Sequence, residues 1–295
     1  MGPGVDLGLP LQLLINGLVL GVLYALIAMG LALIFGVLEI VNFAHGELYM
    51  LGAVAAYFLT TSLSVGYWGT IALTTAGAVG LGALFYEGLL AFIAGRGFER
   101  SILLTLGVSM VLQNGALYVL TATPRMETTP YSYRSVILGD VSIPLLRVFA
   151  LGLALLAFAA LYVLLHHTRM GQAIRGVAQN RAAALMVGID THAVSRLAVA
   201  IGVGLSGLAG AALAPVYSVH PTMGVAFVFK AFAIVIIGGL GNLPGCAVAA
   251  ILLGLLESVV GGFFSPTLVD SLGFLAMIML LLFKPEGLFG RGVRL

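Results

Sequence analysis

Between residues 11 and 38 there is no charged side chain, and apolar runs of this kind recur to the end of the chain. A segment that is apolar all round is not an amphipathic surface helix. At about twenty residues, such runs match the hydrocarbon thickness of a bilayer. Candidate spans fall at 11–38, 48–64, 70–95, 102–122, 148–166, 197–217, 225–240, 246–264 and 270–283. The first is long and the last short, which leaves room for broken or re-entrant segments. Barrel strands alternate in polarity over ~10 residues, and these runs do not. The predicted fold is therefore all-α: a polytopic transmembrane helix bundle of about 8–9 spans, forming a single domain over 1–295.

Charge supports this class. Lys and Arg number 13 and Asp and Glu 11, together 8% of the chain, against about 25% in soluble domains. So few charges cannot cover a soluble surface. A net charge of +2 is too small to steer a nucleic acid. The single cysteine, Cys246, excludes a disulfide framework and a Cys-built metal centre. The opening MGPGVDLGLP has no basic residue, so it is expected to lead into a retained helix rather than a cleaved signal. Arg96 and Arg100, then Arg169, Arg175, Arg181 and Arg196, then Lys284, Arg291 and Arg294 mark segments on one face of the membrane. By the positive-inside rule that face is cytoplasmic. The expected topology has the N-terminus outside and the C-terminus inside. The segment 123–147 is then extracytoplasmic, although it carries Arg125, Arg134 and Arg147, balanced in part by Glu127 and Asp140.

Glycine is abundant, with 40 residues. Gly17 with Gly21, and Gly202 with Ser206 and Gly210, have the four-residue spacing that lets membrane helices approach closely. Against this background each polar residue asks for a reason, because an ionisable group at the bilayer centre costs roughly 2.5–3.5 kcal/mol. Asn42-Phe43-Ala44-His45-Gly46-Glu47 interrupts two spans. It reads either as a polar turn or as a discontinuous helix lining a pathway, with Asn42 capping the next half. Gln113 and Asn114 sit mid-span, as interhelical glue or pathway lining. Lys230 is a lone cation that either snorkels to the interface or faces a pathway. Glu87 and Glu257 read as buried acidic residues, Glu87 alternatively as lying near the inner interface and Glu257 with no partner nearby in sequence. Gly238-Gly239-Leu240-Gly241-Asn242-Leu243-Pro244-Gly245 has Pro244 where a dinucleotide motif needs its third glycine and lacks a preceding strand. It reads as a tight turn between helices, with Asn242 a further pathway candidate. No HExxH, GxSxG or P-loop pattern occurs, so catalytic and metal-ligating residues are not expected.

The connection 169–190, RMGQAIRGVAQNRAAALMVGID, is too polar to span. Met170, Ile174, Val177, Ala178, Leu185, Met186 and Ile189 recur at helical period. One or two short amphipathic helices are expected, lying on lipid or docking a cytoplasmic partner.

Longer segments are distinctive. NGLVLGVLYALIAMGLALIFGVLEIVNFAHGELYMLGA (16–53), LGVSMVLQN (106–114), GQAIRGVAQNRAAALMVGID (171–190) and KAFAIVIIGGLGNLPG (230–245) are joined by GLLESV (254–259) and KPEGLFG (284–290). Across nearly its whole length the chain resembles the permease subunits of branched-chain amino acid ABC transporters, the LivH type. The resemblance implies an ABC importer permease in the bacterial inner membrane, a transport subunit rather than an enzyme. It implies a second homologous permease (LivM type), two cytoplasmic ATPases that bind ATP and magnesium, and an extracytoplasmic solute-binding protein. This chain would itself hold no cofactor. Within 167–196 it implies an ATPase-coupling loop using Gly171, Arg175, Asn180, Arg181, Ala183, Ala184, Gly188 and Asp190. Ala182 stands where the wider importer class has glutamate, leaving Arg175, Arg181 or Asp190 to supply the polar contacts. Gly88 stands where relatives often carry arginine. The implied substrates are leucine, isoleucine and valine, with urea, short amides and aromatic acids as alternatives. A stand-alone secondary transporter or channel is the alternative from another class, with Glu87, Glu257 and Lys230 as its coupling groups.

Overall fold

The computed structural model describes residues 8–138, 141–264, 266–284 and 287–290. The opening residues 1–7, Asp140, Pro285, Glu286, Arg291 and Arg294 lie outside the described residues. In chain order the elements are α1 (Gly8–Leu38), α2 (His45–Thr61), α3 (Tyr67–Phe85), a π-helical turn (Tyr86–Leu90), α4 (Ala91–Ile93) and α5 (Phe98–Leu120). Strands β1 (Ser135–Leu138) and β2 (Val141–Pro144) follow, then α6 (Leu145–His167), α7 (Arg169–Gln179) and α8 (Arg181–Met186). The chain closes with α9 (Thr191–Leu213), α10 (Met223–Gly238), α11 (Leu243–Phe263) and α12 (Pro266–Phe283).

Among the described residues, six stretches are long and apolar enough to cross a membrane: 8–38, 67–93, 98–120, 145–167, 191–213 and 243–263. All six fall on expected spans. Helix α2 has 17 residues and α10 has 16. At 1.5 Å per residue each is about 25 Å long, short of a ~30 Å hydrocarbon core. The all-α expectation is corrected at one place. In the segment 123–147, β1 and β2 pair antiparallel, with Ser135 opposite Pro144 and Leu138 opposite Val141. Val136, Ile137, Val141 and Ile143 supply the β-branched side chains that favour such a pair.

Helices α1 and α9 are the most buried of the long apolar helices, whereas α5 and α6 are peripheral. Glycine sets the crossings. A Cβ on Gly21 would lie 2.6 Å from the Ile251 Cα in α11, and one on Gly254 would collide with the Gly21 backbone. A Cβ on Gly30 would meet the Gly202 carbonyl of α9 at 2.6 Å. Bare backbones in contact gain dispersion energy along the whole crossing, which drives helix association where lipid removes the hydrophobic term.

The two ends of the bundle are distinct. At one end Gln12 holds the hairpin: its Nε2 donates to the Ser142 carbonyl (3.0 Å) and its Oε1 accepts from the Ser142 N–H (2.9 Å). Helix α6 leaves that hairpin and runs 23 residues, about 35 Å, to the opposite end. There it meets α7.

Candidate functional site

The break after α1 is built into the bundle, not laid on its surface. Glu39 has a left-handed backbone (φ 56°) that ends the helix. Asn42 and His45 are fully buried, and Glu47 is 1% exposed. The expected cap at Asn42 is corrected: α2 starts at His45, and the Asn42 Oδ1 accepts from the Ala44 N–H (3.1 Å) just ahead of it. Two residues of separation make this a local turn that closes the break rather than a helix cap. The His45 ring donates through Nε2 to the Ile27 carbonyl (3.1 Å), and the His45 carbonyl accepts from Ser206 (3.2 Å). Ser109 of α5 donates to the Glu47 carboxylate (3.3 Å). Thr105, one turn earlier, accepts from the Phe43 N–H (3.2 Å) and donates to the Val41 carbonyl (3.2 Å).

Three polar atoms here are buried without a hydrogen-bond partner: Asn42 Nδ2, His45 Nδ1 and Glu47 Oε2. Orphaned groups of this kind are rare, and each asks for a reason. Gly46 and Gly224 make the enclosure tight. A Cβ on Gly224 would lie 2.6 Å from the Gly46 carbonyl and 2.7 Å from Glu47 Oε2. Gln113 lies four residues after Ser109 on α5, one turn along the same face. Asn114 is exposed and donates to the Met110 carbonyl of its own helix (2.7 Å).

Lys230 does not snorkel. Its Nζ lies 2.9 Å from Glu257 Oε2 and 3.1 Å from the Tyr24 hydroxyl, which itself donates to Oε2 (2.8 Å). The side chains of Lys230 and Glu257 are only 19% and 4% exposed. Helices α1, α10 and α11 meet at this triad. Glu257 thus has a cationic partner from another helix, and desolvation of each charge is offset by the other.

Glu87 is not a buried acid. It sits exposed on the π turn, 3.2 Å from Arg196 Nη1 and 3.5 Å from His192 Nε2 at the start of α9. The widened turn rotates the side chain away from the core that α3 faces. Asn242 joins neither cluster. It caps α11 through Oδ1 (Gly245 N–H, 3.0 Å) and donates to the Phe289 carbonyl (2.7 Å). It therefore ties the turn 239–245 to the chain's final described segment.

The connection 169–190 folds as two helices. Thr168 caps α7, accepting from the Gly171 N–H at 3.0 Å. A Cβ on Gly171 would lie 2.5 Å from the Leu165 Cα, so this glycine makes the corner with α6. Asn180 caps α8 (Ala183 N–H, 2.9 Å) and Asp190 caps α9 (His192 and Ala193 N–H, both 3.0 Å). Those two amides hold the Asp190 carboxyl below its usual range, the Ala193 bond contributing most. The two helices are separated at Asn180, whose extended backbone (φ −159°) reorients α8. Ile174, Val177 and Ala184 face the bundle, while Leu185, Met186 and Val187 are exposed at 55%, 83% and 76%. Gly188 turns the chain with a positive φ of 81°. Arg175 and Arg181 are partly buried at the two helices.

Tyr24, Thr105, Ser109 and Thr168 escaped the sequence reading. Tyr24 carried a signal, a phenol in the middle of an uncharged span, where buried hydroxyls find partners.

Glycine-tight apolar helices, a buried polar break and a projecting helical pair define the class: a polytopic α-helical membrane permease. The sequence from 13 to 283 matches the family described as branched-chain amino acid transport system, permease component. Relatives include the high-affinity branched-chain amino acid transport system permease protein LivH of Escherichia coli K12, 31% identical over 95% of this chain and 96% of its own. BraD of Pseudomonas aeruginosa, of the same description, is 29% identical over 95% and 96%. The ribose import permease protein RbsC of Escherichia coli K12 is 26% identical over 79% and 73%. No solved structure matches. The chain belongs to the branched-chain amino acid transport system permease family.

Proposed function

We propose that this chain forms one half of the transmembrane pathway of an ATP-driven importer for branched-chain amino acids in the bacterial inner membrane. The other half is a second homologous permease of the LivM type. Two cytoplasmic ATPases, carrying ATP and magnesium, drive alternating access, and an extracytoplasmic binding protein delivers the substrate. The whole chain is one permease domain. In this reading all of the apolar helices lie within the membrane, α2 and α10 as partial spans that start inside the bundle.

The observation that carries the proposal is the pair α7–α8, whose exposed Leu185-Met186-Val187 face is capped, compact and directed away from the bundle. Three exposed apolar side chains in a row at the end of a six-residue helix are costly in water and suit a cleft in a partner. Arg175, Arg181 and Asp190 flank that face and supply polar contacts. This end is assigned to the cytoplasm, since the arginine-rich connections 96–100 and 169–196 lie on it. The hairpin end, with the segment 123–147, then faces the binding protein, and α1 enters from outside. Asn42, His45, Glu47 and Gln113 are assigned to the pathway because α2 and α5 bring them to one face around the break. Asn114 and Asn242 are assigned to its margins.

The test is affinity purification of the tagged chain from its native host in mild detergent. Recovery of a second permease-like chain with ATPases is expected. Recovery of this chain alone, together with gradient-driven uptake in liposomes, would overturn the assignment in favour of a secondary transporter.

A further inference from the structure

Beside the Lys230–Glu257 pair lies a cavity of about 110 Å³ between α10, α11 and α12, lined by both charged side chains and by Phe229, Ala233, Leu253 and Phe274. At roughly 30 Å³ per water molecule, it has room for a small polar group and not for a whole amino acid. Phe229 and Phe274 stand at its mouth, ring centroids 6.1 Å apart and nearly perpendicular. Both are partly exposed, at 43% and 38%. Gly273 keeps the space open: a Cβ there would come within 3.4 Å of Leu253 Cδ1 and 3.9 Å of Glu257 Oε1.

We propose that Lys230, Glu257 and this cavity form a subsite for the zwitterionic head of the transported amino acid. The inference rests on the import reading above. The pair has the two charges that an α-ammonium and an α-carboxylate complement. A zwitterion can insert between them, its ammonium on Glu257 and its carboxylate on Lys230. Each buried charge then exchanges one partner for another and none is left bare, which is the condition for opening a buried ion pair without a large penalty. A purely cationic or anionic solute leaves one of the two charges uncompensated, and a neutral solute offers neither contact. The site thus discriminates by repulsion as well as attraction. The aliphatic tail passes between Phe229 and Phe274, an apolar aromatic mouth suited to a branched side chain. Tyr24, hydrogen-bonded to both charged groups, steadies them as the partners exchange.

Helix α10 joins the cavity to the break. Ala226, Lys230 and Ala233 line the cavity on one face of α10, while Gly224 and Val228 pack against Gly46 of the break on the other. Phe232, one turn along α10 from Phe229, packs on Phe43 with centroids 4.9 Å apart, and the Phe43 N–H donates to Thr105 of α5.

The experiment uses the complete transporter, with its partner chains and binding protein, in liposomes loaded with ATP, and reads import of radiolabelled leucine. The decisive variant is the double substitution Lys230→Met/Glu257→Gln, which removes both charges and orphans neither. A pair that is only a structural clamp tolerates this change; a head-group subsite does not. The expected result is a loss of import of about tenfold or more, with the complex intact on size exclusion and an unchanged melting temperature. Gly273→Leu, which fills the cavity and leaves both charges in place, is expected to lose import comparably. Wild-type import by either intact variant overturns the subsite and leaves the importer reading standing. Failure of the wild type to import any amino acid overturns that reading, and the subsite with it.

Discussion

Replacing Gly224 with alanine tests how the break is held. The new Cβ would lie 2.6 Å from the Gly46 carbonyl oxygen, 2.7 Å from the Gly46 carbonyl carbon and 2.7 Å from Glu47 Oε2. Ordinary contact is about 3.5–4.0 Å. Two of the three atoms are backbone in the facing helix, so they cannot swing aside as a side chain would. Helices α2 and α10 must separate by about 1 Å, and close-packed interiors resist such strain, at about 1–3 kcal/mol for one added methyl. The control is Gly80→Ala in α3, where nothing lies within 4 Å of the new methyl. There alanine is expected to stabilise the helix by about 0.5–1 kcal/mol. The two substitutions make the same chemical change with opposite sign. The assay is the melting temperature of the isolated chain in detergent: Gly224→Ala should fall and Gly80→Ala should hold or rise. Equal shifts for the two would refute the argument that backbone contact between α2 and α10 fixes the site.

Three further outcomes follow from the same geometry. Asn180→Ala removes the cap of α8 and should loosen it by about 1 kcal/mol, seen as faster amide exchange over 181–187 and weaker ATPase retention. Asn42→Ala and His45→Ala should abolish uptake while ATPase binding persists; normal uptake by both would remove them from the pathway. Glu127 is buried in the segment 123–147, with Thr60 donating to its carboxylate at 2.8 Å. Burial raises its pKa, the Thr60 bond opposing in part. A raised folded-state pKa means that protonation favours the fold, so its contribution is full below the ordinary glutamate range and is lost as pH rises through the raised value. Glu127→Gln should flatten this part of the stability–pH curve; an unchanged curve would refute the assignment.

The resemblance of the segments around NFAHGE, the coupling connection and the glycine turn already placed the chain in its family, which the relatives bear out. Local physics carried much of the remainder. A polar break between two apolar runs is visible because an unpaired polar group in lipid is expensive wherever the helices go. The caps at Thr168, Asn180 and Asp190 obey short-range rules too, and they divide 169–190 into two short helices.

The sequence by itself determined the membrane class, the positions of the apolar helices, the polar break after the first of them and the polar connection, because hydropathy and turn chemistry act over a few residues; the burial of the break is tertiary. The tertiary structure alone decided who meets whom. Tyr24 and Glu257 are 233 residues apart, and Lys230 and Glu257 are 27 apart. They touch because α1, α10 and α11 cross where glycines such as Gly21 and Gly254 let backbones come together. Other crossings put Glu87 beside Arg196, tied Asn242 to the Phe289 carbonyl, and opened a cavity next to the ion pair. Nothing local encodes those partners, since the angle and depth of a crossing depend on both helices at once.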